Sequence, residues 1–405
     1  MTTRSRGAGR RRRAALATVA GLLLVPASCT VNQATAPTSM VPLIPPDQLP
    51  ITTLAATTTT APSSDPNNPL LVALPESDCA YADAPAEGEL TFVFGNRLFG
   101  TTFDATTVRC LAELEPSQRG VMRWSPVANR VLLNPGTVFD VGGIRSSGFD
   151  PTTTRMVWEY PVGDALIAPT PSSKTLVRRS AVDGSQRAEI TFLPRTWLVA
   201  SHPSGQALLA VGRTNDDLTG LFAADQTGQN GRPLLFIAAD RTVQELAIDP
   251  SGRSAYLIST RGDSFALHRL SLSDLVLSEV SSTPAPLLQV IPGPSASAVA
   301  WKSGLCNSIT DTWVFDERLG SAVVAGVGTP LETLSVAPLG WLDTTRLVVT
   351  ARTLGCDGPA DVWTWNLLDG SATLLVKSVE LPALRLLQPQ ATMPVIDPAV
   401  APPSL

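Results

Sequence analysis

This chain of 405 residues carries only two histidines, His202 and His268, and only three lysines, Lys174, Lys302 and Lys377. The shortage of imidazole excludes a histidine-rich metal centre unless carboxylates complete it, and neither histidine has a nucleophile beside it in sequence. Few lysines leave few candidates for Schiff-base chemistry. The charged fraction is 16% and the formal net charge is -5, so no basic face for nucleic acid is expected. No G-x-S-x-G elbow occurs, which removes the α/β-hydrolase type of serine nucleophile. None of the five cysteines stands at C-x-x-C spacing and neither histidine lies near them, so a zinc site has no support. Long helices are disfavoured as well. Thirty-five prolines and twenty-nine glycines interrupt the apolar runs every few residues, the spacing of an all-β chain with many turns.

The N-terminus reads as an export signal. Arg4, Arg6 and Arg10 to Arg13 precede an apolar run over 14–25, which is shorter than the roughly 20 residues a bilayer-spanning helix needs. The run closes on Val25-Pro26-Ala27-Ser28-Cys29, which resembles a bacterial lipobox with Pro26 in the place where Leu is usual. The resemblance implies cleavage after residue 28, lipidation (palmitate) of Cys29 and a lipoprotein held at the cell membrane, facing the extracytoplasmic side. A plain secretory signal is the alternative. Residues 29–69 are rich in Thr, Ala, Pro and Ser and poor in charge, a composition that cannot bury enough apolar area to offset the entropy of ordering. We expect a disordered tether there, with a reach on the order of 35 Å if it behaves as a flexible coil.

With Cys29 assigned to the lipid, Cys79, Cys110, Cys306 and Cys356 remain, an even set in an exported chain. Two disulfides are expected, with three connectivities open. Cys79 with Cys110 and Cys306 with Cys356 is favoured, because each pair lies within one or two neighbouring hairpin units.

The unit that organises the rest is 245–259, ELAIDPSGRSAYLIS. Two apolar runs flank Asp249-Pro250-Ser251-Gly252, in which Pro presets φ, Asp can bond the amides ahead of it and Gly takes the positive-φ position. Weaker copies lie at 122–133, 198–212 and 335–352. Such hairpins cannot bury their faces alone, and repetition at several tens of residues marks a propeller or solenoid. Turn anchors at Pro126, Pro171, Pro203, Pro250, Gly304 and Gly340, preceded by a strand set from Glu89, give seven units. Six also fit, because the interval from Pro171 to Pro203 is short for four strands. The expected architecture is an all-β propeller over 70–388, followed by a Pro-rich tail over 389–405 that frays.

Trp124-Ser125-Pro126 and Ile248-Asp249-Pro250-Ser251-Gly252-Arg253 resemble the repeat of TolB-like, WD40-like propellers of exported bacterial proteins. His202 stands where that repeat usually has Asp. The resemblance implies a propeller with a binding role and carries over no catalytic residue.

Other candidates have plain structural readings. His202 can cap turn amides as Asp249 does, and His268 falls in a strand. Asp216-Asp217 could line a face or hold Ca²⁺, but a solvated loop fits better without D-x-D-x-D-G spacing. Arg261-Gly262-Asp263 suits a tight turn, and Gly326-Val327-Gly328 lacks the third Gly and the helix of a phosphate cradle. Trp363 and Trp365 share a strand face and are expected to pack between units. These readings make the chain a lipid-anchored binding or scaffold module for an envelope protein or glycan, without a cofactor and leaning away from catalysis. A propeller hydrolase or lyase with carboxylates meeting at the central channel is the alternative, and an extracytoplasmic sensor partner is a third reading.

Overall fold

The computed structural model describes residue 79 and residues 88–103, 108–114, 122–133, 137–140, 145–147 and 156–405, apart from 171, 173, 296, 307, 354, 396 and 398. The signal, Cys29 and the tether lie outside these residues. Those described belong to one unit, Thr60–Leu405.

Every strand pairing among the named strands is antiparallel, and each four-stranded sheet is a meander of strands consecutive in sequence. Five separate four-stranded sheets cover 123–147, 157–190, 195–236, 242–283 and 287–324. The unit foreseen at 245–259 is the first hairpin of the fourth. Asp249 accepts from the amide of Ser251 at 2.8 Å and from that of Ser254, while Gly252 takes φ 71° and donates to the Asp249 carbonyl. The two strands pair from Thr242↔Thr260 to Ile248↔Ala255, with one slip between Val243 and Glu245.

The remaining strands form one seven-stranded sheet. In hydrogen-bonded order it runs Ser335–Trp341, Arg346–Arg352, Ala360–Asn366, Ala372–Arg385, Glu89–Phe94, Arg97–Thr101 and Val108–Glu113. The count of seven blades, or six, is therefore corrected to five separate four-stranded blades and this joined sheet. The physical reason is the 14-residue strand Ala372–Arg385, which serves two neighbours. Its first part pairs with Ala360–Asn366, and its last, from Glu380, pairs with Glu89–Phe94. The first named strand, Glu89–Phe94, and the last, Ala372–Arg385, thus meet by backbone pairing. Two of the anchors also mark other features. Gly304 follows the second strand of its blade, whose first turn is closed at Gly293 and Ala298, and Gly340 lies inside a strand.

Apolar side chains fill the space between adjacent sheets. Leu209, Leu221 and Val211 pack with Ala255, Leu257 and Leu270 of the next blade, and Tyr256 and Ile258 with Val299 and Trp301 of the one after. Each sheet is buried by its neighbours, so the edges left to solvent are short. The tail does not fray. The Phe236 amide donates to the Pro403 carbonyl, the Leu405 amide donates to the Phe236 carbonyl, and Phe236 and Ser404 form a parallel bridge on the outer strand Arg232–Phe236. Met393, Val400 and Leu405 join the core beneath it.

A charged seam locks the first and last named strands together. Glu89 and Arg385 are 3% and 0% exposed and pair at 2.8 Å, while Arg109 bonds the other Glu89 oxygen and Arg385 also donates to the Ala128 carbonyl. The Arg385 guanidinium lies 4.7 Å from the centroid of the Trp124 ring, whose Nε1 donates to Thr91 Oγ1. Thr91 in turn donates to the Ala383 carbonyl, so strands from three places in the sequence share one network.

Candidate functional site

The first strand of each blade faces the middle of the ring, and together these strands line a cavity of about 1000 Å³. Arg123, Val157, Leu198, Glu245, Val290, Leu339 and Glu380 come from seven different stretches of chain, yet all reach this one space. Its volume is at the upper end of the usual range for small-molecule pockets.

Bulges shape the wall. Pairing slips by one or more residues at 196/198, 243/245, 288/291 and 338/340, all in strands that line the cavity. A bulge bends its strand and re-aims the side chains on it. Gln289 and Leu381 take positive φ, 53° and 49°, at such places. Gln289 is held by its side chain, which donates to the Pro338 carbonyl of the neighbouring sheet at 2.6 Å.

Glu245 bridges two blades. Its carboxylate accepts from the amides of Gln289 and Val290, each at 2.8 Å. Burial pushes its carboxyl above the usual range, against the two amides and the charge of Arg123, which pull it back. Both oxygens are engaged with backbone, so this carboxylate holds the wall in place and is poorly disposed to move a proton. Arg123 stays exposed to the cavity and donates to the Met156 carbonyl, while Trp158 Nε1 donates to the Arg123 carbonyl.

One part of the cavity is cationic. Lys302, Arg352 and Asp357 line it, with Thr350 and Cys356 beside them. Lys302 comes from Ala298–Ser303 and Arg352 from the neighbouring sheet. The Lys302 Nζ lies 2.6 Å from Cys356 Sγ, and Arg352 donates from Nε to the Gly358 carbonyl. Burial lowers the Lys302 ammonium below the usual range, and Arg352 lowers it further while Asp357 raises it. Arg352 is lowered too, by burial, again against Asp357.

The remaining cysteines pair as Cys79–Cys110 and Cys306–Cys356, with Cα separations of 4.6 and 5.0 Å. The second bond ties the loop bearing Asp357 to the loop after Lys302, which fixes this part of the wall.

The histidines are structural. His202 is fully buried, accepts the Ser204 amide on Nδ1 at 3.1 Å and contacts the Gly252 carbonyl through Nε2 at 2.8 Å. It caps its turn as Asp249 does and also fastens its blade to the next, a role that sequence spacing does not reveal. Nδ1 acting as acceptor assigns the proton to Nε2. His268 is buried with Nε2 3.0 Å from Ser259 Oγ, and burial together with Arg241 lowers its pKa to about 4.

Other sequence candidates stay apart from the cavity. Asp217 bonds Arg213 at an exposed turn, and Arg261 of Arg-Gly-Asp is paired with Asp240 at 2.7 Å. Val327 is exposed between Gly326 and Gly328, which both take positive φ ahead of the short turn Pro330–Thr333. Trp363 and Trp365 pack in the core between the blade 287–324 and the joined sheet. Among the described residues no three of His, Cys, Asp and Glu group as metal ligands would, and no helix is long and apolar enough to cross a membrane.

A ring of antiparallel meanders around a central cavity defines the chain as a β-propeller, the class expected from its sequence repeats. Comparison with solved structures finds similar chains. TolB from Acinetobacter baumannii is 12% identical, with a TM-score of 0.43 over 75% of this chain and 68% of that one. The β-propeller domain of Cps50 (Swd1) from Myceliophteria thermophila is 13% identical, with a TM-score of 0.44 over 67% and 89%. An oligogalacturonate lyase in complex with manganese is 12% identical, with a TM-score of 0.46 over 69% and 82%. These likenesses concern the fold and nothing finer. No protein-family model matches the chain, and no curated protein matches its sequence.

Proposed function

We propose that this protein is a binding module that takes part of an envelope protein or glycan into the central cavity of its propeller, while a lipid on Cys29 holds it at the membrane. The observation that carries the binding role is the cavity of about 1000 Å³, whose wall is assembled from seven stretches of chain and held by cross-blade bonds from Glu245 and Gln289. A wall fixed in this way is organised before a ligand arrives, which reduces the ordering cost of binding. The lipid anchor rests on the sequence around Cys29. Hydrolase or lyase chemistry is the alternative, and of the cavity carboxylates Glu245, Asp357 and Glu380 it could not use Glu245 freely, whose two oxygens are engaged by backbone amides.

The test places a photo-crosslinking residue at half-buried Leu339 in the cavity wall or at exposed Val276 on the rim, in lipidated full-length chain in its own membranes. Adducts with one envelope component from Leu339 and none from Val276 are expected. Equal adducts from both sites, or none from Leu339, would sink the proposal. Palmitate labelling that persists in a Cys29→Ala chain would refute the anchor separately.

A further inference from the structure

We infer that the cationic part of the cavity is an oxyanion site, in which a carboxylate or phosphoryl group of the ligand is held between Lys302 and Arg352. The inference rests on the cavity being the ligand site and adds the chemistry of what enters it.

Three observations support it. Two cations from adjacent sheets are brought to one wall, although like charges in a half-buried place repel and cost stability. Their carboxylate neighbour, Asp357, is exposed, and among the described residues neither cation lies within 4.0 Å of any carboxylate, whereas the buried Arg385 is paired. The charge of this wall is therefore incompletely matched from within the chain.

Donors are also left over. Lys302 has three N–H groups, and the partner found for it among the described residues is a disulfide sulfur, a weak acceptor. Arg352 donates from Nε to a carbonyl and from Nη1 to Thr350 Oγ1 at 3.5 Å, which leaves Nη2 without a partner among the described residues. An ammonium and one arm of a guanidinium, on a wall pinned by Cys306–Cys356, suit a compact anionic oxygen group. The recess favours a small ligand or the end of a larger one over a flat protein surface.

Calorimetric titration of the full-length chain with inorganic phosphate, with succinate and with neutral succinamide tests this. One of the two anions should bind at one site per chain and succinamide should not; which anion binds separates the phosphoryl from the carboxylate source. Lys302→Met and Arg352→Met should each weaken that binding by about tenfold or more, the usual loss when a charged partner of a hydrogen bond is removed. Using two variants on different sheets, each checked for intact disulfides and unchanged near-ultraviolet circular dichroism, guards against a folding defect. Failure of both anions to bind, or unchanged binding in both variants, overturns the site. Crosslinking from Leu339 that persists in those variants would then show that the cavity takes a ligand by other chemistry.

Discussion

Arg385 and Lys302 are nearly sealed cations in one ring, and the protein treats them in opposite ways. Around Arg385 the charges close on themselves, with Glu89 on one nitrogen, the Ala128 carbonyl on another and the Trp124 face beneath. Around Lys302 stand a second cation, a sulfur and an exposed carboxylate, Asp357, that makes no ion pair with it. The seam is satisfied from within and serves closure. The cavity wall is not satisfied in this way, and the proposed anion site rests on that. Burial alone does not separate the two, since both residues are under a tenth exposed. What separates them is whether the chain supplies the counter-charge.

The largest expected effect lies at the seam. Arg385→Met should cost about 3–5 kcal/mol in urea unfolding, because it leaves Glu89 sealed with half-exposed Arg109 as its remaining cation. A loss under about 1 kcal/mol would mean that the seam charges add little and would break the contrast.

His268 tests a third arrangement, a sealed ring with no counter-charge. Its pKa falls from an ordinary 6.5 to about 4 in the fold, so the folded state binds fewer protons than the unfolded state between those values. That contribution to stability is complete above about pH 6.5 and is lost as pH falls toward 4, by about 3 kcal/mol in the limit. Stability measured across this window should fall less steeply in His268→Gln than in the parent, and parallel curves would contradict the assignment. His202 is lowered in the same direction by burial and supplies part of the slope that remains.

The smallest effect should have the opposite sign. Removing the Lys302 ammonium relieves its repulsion with Arg352, so Lys302→Met should leave stability unchanged or raise it by up to about 1 kcal/mol while anion binding weakens by about tenfold or more. A thermal melt showing marked destabilisation would place Lys302 with Arg385 as a structural charge.

Much of the ring was legible because its turns are local. Asp249-Pro250-Ser251-Gly252 encodes a hairpin within a few residues, and the cysteine spacing pointed to pairs within neighbouring units. The strand Ala372–Arg385 was not legible over its full length, because Pro382 within it argues against a paired strand. The fold accommodates that proline beside Leu381, where positive φ bends the strand as it passes from one neighbour to the other. The blade count was lost at the same place. The cavity charges were invisible for another reason. Arg123, Glu245, Lys302, Arg352 and Glu380 share no spacing and meet only through closure of the ring, and the trace they leave is a charged residue beside an apolar run.

The pairing of Glu89–Phe94 with the end of Ala372–Arg385 has a consequence for how the molecule is made. Glu89 and Arg385 are 296 positions apart, so a chain emerging N-terminus first presents an unpaired edge, and a carboxylate with Arg109 but not Arg385 beside it, until nearly all of it has been made. The intervening sheets can form in succession as they appear. The circle itself waits for its last strand, and a nascent chain released short of Arg385 remains an open arc.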